Sequence, residues 1–421
     1  MGKHVVVLGA GTGGTLAANR LRRVLPAAVQ ISVVDQDDDH VYQPGLLFLP
    51  FGLTTANELV RSRPRQLRGV IGYHRGAVDH VDIERRRVFL DDGTVLPYDI
   101  LVVATGARLM PEETEGLTGP GRGRSVHTFY DLPGAAALDT ALRDFDRGRL
   151  VVNVVDLPIK CPVAPLEFCF LADWYFRERG VRDDIEIVYV TPLDAAFTKP
   201  VAARTLSGLL AEKGVELVTE FNTGEVEAND EGGRLISFDG REVQFDLAVV
   251  VPAHGGAAWV GRSPGLGDPL DFVPTDPHTL VSLASPDVFV IGDAAAVPTS
   301  KAGSVTHFEG EVLVHNIVRR LNGEEPDASF DGHTNCFIES GFGKALLIDF
   351  NYDTEPVPGH FPTAVGLPLL KESRLNHLGK LMFAWLYWHV LLPGREVPGI
   401  PTAMPATGKR FPAETTAEEA R

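Results

Sequence analysis

The chain has 421 residues, 44% hydrophobic and 23% charged. That is the balance of a globular protein, with chain enough for two or three domains at roughly 150 residues each. Its 39 basic and 56 acidic residues leave a formal charge of −17, which repels a phosphate backbone and excludes a broad nucleic-acid footprint. Three cysteines, Cys161, Cys169 and Cys336, are too few for a secreted disulfide scaffold or for a metal cluster on paired Cys-x-x-Cys ligands. They are enough for one redox pair and a spare.

The chain starts Met1-Gly2-Lys3, then runs directly into His4-Val5-Val6-Val7-Leu8-Gly9. Glycines break any signal-like apolar stretch there, so the start reads as part of the fold. Val5–Leu8 reads as a buried strand, Gly9-Ala10-Gly11-Thr12-Gly13-Gly14 as a tight turn, and Thr15–Val24 as a helix. Ile31–Asp35 reads as a second strand ending in an acid. Asp35 lies 21 residues beyond Gly14. In a dinucleotide-binding unit such glycines let the backbone approach a pyrophosphate at a helix N-terminus, and the acid accepts from a ribose hydroxyl. A glycine-rich turn of an unrelated α/β protein is the alternative.

Further on, Arg87–Leu90 and Thr94–Leu96 flank Asp91-Asp92-Gly93 as a hairpin. Asp99–Ala107 reads as a buried strand ending in the Thr105-Gly106 turn, and Asp287–Asp293 as another, closing on Gly292-Asp293. Together with the first turn, these segments resemble the three flavin-adenine-dinucleotide motifs of two-dinucleotide-domain flavoproteins. The resemblance implies FAD, held by Gly9, Gly11, Gly14, Asp35, Val78, Thr105, Gly106, Gly292 and Asp293.

Between these motifs lies a second α/β unit. Arg149–Val155, Ile185–Val190 and Phe245–Pro252 read as strands; Leu166–Arg179 and Thr205–Lys213 read as helices. Flavoprotein relatives that use nicotinamide cofactors carry a glycine-rich turn in this unit. Here the turn, Asp156–Pro165, has no glycine and three prolines, and Thr191 stands where a ribose-binding acid is expected. Proline lacks the N–H that grips phosphate, and its ring blocks close approach. Tight NADH or NADPH binding is therefore not expected.

Cys161 occupies that turn, after Lys160 and before a helix. A neighbouring cation and a helix N-terminus both stabilise a thiolate; the alternative is a small buried residue. Cys336 follows Thr334-Asn335 in a segment rich in turn residues. Cys169, within Glu167-Phe168-Cys169-Phe170-Leu171, reads as a packing residue in a buried helix.

Pro158-Ile159-Lys160-Cys161 with Ala164-Pro165, and Thr334-Asn335-Cys336 with Asp349-Phe350-Asn351-Tyr352, resemble the sulfide:quinone oxidoreductase family. So do His40-Val41-Tyr42-Gln43-Pro44-Gly45 and Ile291-Gly292-Asp293 with Pro298-Thr299-Ser300-Lys301. The matches run in family order from about residue 4 to about residue 394. The resemblance adds Gln43, Pro44 and Lys301 to the flavin site, Lys301 near the pyrimidine end of the ring. It makes Cys161 and Cys336 a redox pair near the flavin, and it offers Glu167 as a proton acceptor for sulfide or a thiol. Read without the resemblance, Glu167 is a first-turn glutamate complementing a helix dipole, and Lys301 is a surface lysine. Ser125-Val126-His127 lacks the third cysteine of many bacterial members, so the chain looks like the two-cysteine type, which includes the mitochondrial enzymes. His127 and His307 read as structural.

The longest apolar run is Leu381–Leu392. A twelve-residue helix spans about 18 Å, too short for a hydrocarbon core about 30 Å thick. Its aromatics, with Lys371, Arg374 and Lys380 nearby, suit an interfacial helix; the alternative is a buried helix or a dimer contact. The resemblance favours membrane docking and places Phe337, Phe342, Phe383, Trp385, Tyr387 and Trp388 at the quinone or membrane.

The expected fold class is α/β, with two interleaved Rossmann-like domains and a C-terminal docking region. The first domain takes 1–110 and 270–330, the second 111–269, the C-terminal region 331–394, and a flexible tail 395–421. The implied function is FAD-dependent oxidation of sulfide to sulfane sulfur through Cys161 and Cys336. Electrons pass to a quinone at the cytoplasmic face of the cell membrane, and the sulfur leaves on a small thiol or as polysulfide. A homo-oligomer is allowed. The rival functions are an NAD(P)H:quinone reductase, a sulfide dehydrogenase serving a cytochrome, and a flavin redox sensor without turnover.

Overall fold

The structure, a computed structural model, describes residues 2–397 and 399–411. In chain order, its main elements are β1 (His4–Leu8), α1 (Thr12–Val24), β2 (Gln30–Asp35), β3 (Gly72–Arg75), β4 (Ile100–Val103), β5 (Val126–His127), β6 (Gly148–Val154), α2 (Ala164–Glu178) and β7 (Ile185–Val190). They continue with α3 (Pro200–Glu212), β8 (Val215–Val218), β9 (Leu247–Val251), β10 (Val288–Val290), α4 (Gly303–Leu321), β11 (Thr334–Gly341), β12 (Lys344–Phe350) and α5 (Arg374–Leu386).

Runs of Val, Ile and Leu buried on both faces are the mark of parallel strands. Two five-stranded parallel sheets result, ordered β10-β4-β1-β2-β3 and β5-β9-β6-β7-β8. Both are Rossmann-like. The first is interleaved, since β10 reaches it only after the second sheet is complete. In β1, Val5 and Val7 face Leu16, Leu21 and Leu313 of α1 and α4, while Val6 and Leu8 face the hairpin residues Val81, Val88 and Leu90. In the second sheet, Leu150, Ile187 and Tyr189 pack on α2 and α3, and Val151, Val188 and Val250 pack on a small antiparallel sheet through Val226 and Leu235. Full burial of each such side chain contributes about 1.5–3 kcal/mol.

α3 begins at Pro200, earlier than the expected Thr205, because a proline at the first helical position costs no hydrogen bond. Beyond the second sheet, β11 and β12 form an antiparallel hairpin, with Cys336 opposite Ile348. α5 starts under a Ser373 cap that accepts from the Asn376 N–H at 3.0 Å. It continues into a wider turn over Tyr387–Leu391 with π-type hydrogen bonding. α5 lies close over β11 because residue 379 is glycine: a Cβ there would stand 2.9 Å from the Phe337 ring.

The described part of the expected flexible tail is docked. Gly408 O accepts from the His360 N–H, the Thr402 carbonyl faces His333 Nδ1 at 2.9 Å, and Lys409 pairs with buried Asp349. Residues 412–421 lie outside the described residues. No helix among the described residues is long and apolar enough to cross a membrane.

Candidate active site

The glycine turn joins β1 to α1. Gly9 adopts φ +95°, and a Cβ there would strike the Ala104 carbonyl oxygen at 2.4 Å; at Gly14 one would stand 1.8 Å from the Gly9 carbonyl. These two glycines are required by backbone packing. Gly11, in contrast, faces open space and precedes the unpaired N–H groups that start α1. Asp35, at the end of β2, accepts from the Ala10 N–H at 2.6 Å and pairs with Arg63. Burial raises its pKa against the pull of Arg63. Gly76 N–H donates to the Asp35 carbonyl and leads into the hairpin that Val78 opens.

The Thr105-Gly106 turn and Gly292-Asp293 lie at the ends of the neighbouring strands β4 and β10. The buried Thr105 hydroxyl has no partner. Asp293 is half-buried; burial raises its pKa, opposed by the ammonium groups of Lys301 and Lys160. Lys301 Nζ donates to the Asp293 and Ala295 carbonyls at 2.8 and 2.9 Å, and burial lowers its pKa. It is no free surface lysine. Gln43 accepts from Lys160 Nζ at 3.1 Å, with half-buried Pro44 beside it.

The segment 299–304, leading into α4, holds both cysteine segments. The Lys301 carbonyl accepts from the Cys161 N–H at 2.7 Å, the Ser304 hydroxyl donates to the Asn335 carbonyl at 2.6 Å, and the Thr299 and Thr334 hydroxyls are 3.0 Å apart. Cys161 sits at φ +49°, a left-handed conformation rare for a residue with a Cβ, which marks local strain. Cys161 and Cys336 are free, half-buried thiols. Cys169 is fully buried among α2 core residues, as read from the sequence.

The expected stabilisation of a Cys161 thiolate by its neighbours is outweighed: the Ala164 N–H at the start of α2 does pull the Cys161 pKa down, but not enough. Burial and the nearby Glu167 carboxylate push its pKa up to about 12, and the cation that opposes them is Lys380. Burial also raises Cys336, with further pushes from Cys161 and Glu167 and an opposing pull from Lys380. Lys160 turns instead to Gln43.

Glu167 is buried in the first turn of α2. It accepts from the Glu339 N–H at 2.7 Å and pairs with Lys380, which also donates to the Phe337 carbonyl at 3.3 Å. Burial raises the Glu167 pKa against the pull of Lys380. Burial alone would lower Lys380, yet Glu167 and Glu339 hold it above its usual range. Glu339 also meets His377 of α5, whose Nδ1 lies 2.9 Å from one carboxylate oxygen. Lys380, read from sequence as a membrane-flanking cation, is thus an interior residue. Glu339 and Ser304 were not foreseen at all.

The aromatic residues assigned to membrane or quinone divide. Tyr387 and Trp388 are buried, so their assignment to a membrane surface is corrected: Tyr387 Oη bonds Thr12 Oγ1 and His40 Nε2, and the Arg61 guanidinium lies 4.2 Å from the Trp388 ring centre. Phe342 occupies the tip of the β11–β12 hairpin beside Lys213. Phe337 and Phe383 are half-buried, and only Trp385 shares the exposed face of α5, with Leu375, Leu378, Leu381 and Met382, each more than half exposed. His127 and His307 are buried in backbone and Arg20 hydrogen bonds, consistent with structural roles.

Residues 3–150 match the pyridine nucleotide-disulphide oxidoreductase family. The mitochondrial sulfide:quinone oxidoreductase of Mus musculus is 26% identical over 396 residues, covering 93% of this chain and 86% of its own length. The chain is a homologue of the sulfide:quinone oxidoreductases. The X-ray structure of the sulfide:quinone oxidoreductase of Aquifex aeolicus superposes with a TM-score of 0.79 at 19% identity, over 94% of this chain and 93% of that one. The type II NADH:quinone oxidoreductase NdhA of Mycobacterium tuberculosis is 32% identical over 426 residues, 93% of this chain and 83% of its own. Homology to these flavoproteins makes the chain an FAD-dependent oxidoreductase. The residues present fit that cofactor, with an open face at Gly11, an orphaned hydroxyl at Thr105 and a half-buried carboxylate at Asp293 between two cations.

Proposed function

We propose that this protein oxidises sulfide to sulfane sulfur through Cys161 and Cys336 and delivers the electron pair to a membrane quinone. The observation that supports the reading is that the backbones of both cysteine segments bond to the segment 299–304, which continues from Asp293, with both thiols under the influence of the buried Glu167–Lys380 pair. Gly9, Gly11, Gly14, Asp35, Val78, Thr105, Gly106, Gly292, Asp293 and Lys301 would hold FAD, with Gln43 and Pro44 beside the Cys161 turn. FAD, when bound, accepts an electron pair and passes it to the quinone.

In the oxidised chain, hydrosulfide attacks the Cys161–Cys336 disulfide. One sulfur–sulfur bond breaks and one forms, leaving a persulfide on one cysteine and a thiolate on the other. Lys380 supplies the positive charge that such a thiolate needs in a site that otherwise keeps thiols protonated. Glu167 is placed to take a proton from the incoming sulfide or from a thiol. The sulfane sulfur then leaves on a small thiol or as polysulfide, which leaves both cysteines reduced, and their disulfide would re-form as they give up the electron pair to FAD held at the site. The exposed apolar face of α5 is the membrane contact, a peripheral attachment at the cytoplasmic surface.

A second reading, NADH:quinone reduction, draws on the similarity to NdhA. The turn that would bind the nicotinamide nucleotide weighs against it, since it holds three prolines and Lys160 bridges to Lys301 across the two domains. Sulfide-dependent quinone reduction by the wild type, with loss in Cys161→Ser and Cys336→Ser variants that retain FAD, is the expected result. Undiminished turnover in both variants would contradict the proposed chemistry.

A further inference from the structure

Tyr387 lies at the start of the π-type turn that extends α5, and its side chain is almost wholly buried. Its hydroxyl lies 2.8 Å from Thr12 Oγ1 and 2.7 Å from His40 Nε2, and His40 Nδ1 faces the Ala10 carbonyl at 3.1 Å. Ala10 and Thr12 are the residues on either side of Gly11, the open point of the dinucleotide turn. The directions of these bonds follow from chemistry. A carbonyl only accepts, so His40 Nδ1 carries the proton. Nε2 of the neutral ring is then an acceptor. Tyr387 therefore donates to His40, and Thr12 donates to the Tyr387 oxygen. Burial, with Arg63 nearby, lowers the His40 pKa to about 4, which keeps the ring neutral.

The segment after Tyr387 grips the same helix. Asn19 Nδ2 donates to the Leu392 carbonyl at 2.7 Å, and Arg23 reaches the Pro393 carbonyl. A Cβ at Gly394 would stand 2.9 Å from the Arg20 backbone nitrogen. α1, whose free N-terminal N–H groups would meet the cofactor, is thus seated along its length on residues 387–394. π-type turns within helices concentrate at functional sites, and this one aims Tyr387 at the turn.

We infer that Tyr387 is a positioning residue for the dinucleotide turn, and that the seating of α5 and the hold on FAD are thermodynamically coupled through the Tyr387–His40–Ala10 and Tyr387–Thr12 hydrogen bonds. The coupling is reciprocal. Docking of 387–394 fixes Ala10 and Thr12 in the geometry that presents the free N–H groups of α1, and FAD binding to those groups stabilises the docked C-terminal segment. The inference depends on FAD being the cofactor, not on the substrate or on what covers the outer face of α5.

The test uses the holoprotein. Tyr387→Phe keeps the ring and removes only the hydroxyl. Release of FAD on dilution, read by flavin fluorescence, is expected to show affinity weakened about 5- to 10-fold, the size of one lost buried hydrogen bond. Leu378→Ala, on the outer face of α5, should leave it unchanged. In the wild type, hydrogen exchange of amides 387–394 should slow when FAD is loaded, and this protection should shrink in Tyr387→Phe. FAD affinity in Tyr387→Phe equal to wild type overturns the inference. So does exchange at 387–394 that ignores FAD in the wild type, a measurement that stands even where the variant folds poorly.

Discussion

Lys380 leaves α5 towards the interior and pairs with Glu167 in the first turn of α2, so a single buried ion pair joins the C-terminal helix to the helix behind Cys161. Both members are nearly inaccessible to water. Removing one partner of such a pair strands the other charge and typically costs about 3–5 kcal/mol, whereas replacing both with neutral groups costs far less.

Lys380→Met should therefore lower the thermal midpoint sharply, and Glu167→Gln/Lys380→Met should recover most of the loss. Differential scanning calorimetry on the wild type, Glu167→Gln, Lys380→Met and the double variant checks this. In turnover the double variant should stay impaired, because neither the cation nor the carboxylate remains beside the thiols. A double variant with wild-type sulfide turnover would show that the pair is structural only.

The thiols give a second expectation. With burial and Glu167 pushing Cys161 up to about 12, reduced Cys161 is protonated at neutral pH. Its alkylation by iodoacetamide should be slow at pH 7 and keep accelerating above pH 9, where an ordinary thiol has levelled off. Glu167→Gln removes a negative neighbour and should shift the profile to lower pH. Lys380→Met should shift it the other way. Stopped alkylation followed by mass spectrometry distinguishes Cys161 from Cys169.

The flavin motifs were legible because they obey local rules: a strand of Val5–Leu8, glycines with defined spacing and Asp35 at a strand end. The second sheet was legible for the same reason, as was the packing role of Cys169. What escaped was set by side-chain direction at long range. Nothing local tells that Lys380 and Tyr387 point inward while Trp385 points out, since all three lie on one apolar, aromatic helix. The protonated Cys161 thiol was missed because sequence shows the adjacent Lys160 but not the buried Glu167. Glu339 and Ser304 carry no motif; only the fold brings them to the cysteine segments.

The split face of α5 yields a third expectation. Leu378→Glu with Met382→Glu places charge on the exposed stripe and should abolish flotation with lipid vesicles while leaving the melting temperature nearly unchanged. Trp388→Ala, which empties a buried site, should instead destabilise by about 3–5 kcal/mol. Flotation that survives the paired glutamates would remove the membrane role from this face.

Acid supplies a fourth. The His40 pKa falls from 6.5 to about 4 through burial and the neighbouring Arg63. The unfolded chain therefore binds a proton that the folded one refuses. This contribution is fully present above pH 6.5 and is lost as pH falls towards 4, by roughly 3 kcal/mol in the limit. Protonation also removes the acceptor that Tyr387 uses. FAD release should steepen over the same window, and more steeply in the wild type than in Tyr387→Phe. Urea melts and flavin fluorescence between pH 7 and 4 check both.

The most direct test of the central claim is anaerobic reduction of the bound flavin, followed by its visible absorbance. Sulfide should bleach the wild-type flavin rapidly, added quinone should restore the colour, and NADH should leave it oxidised. Bleaching by NADH without bleaching by sulfide would contradict the account and assign the chain to the nicotinamide branch of its relatives.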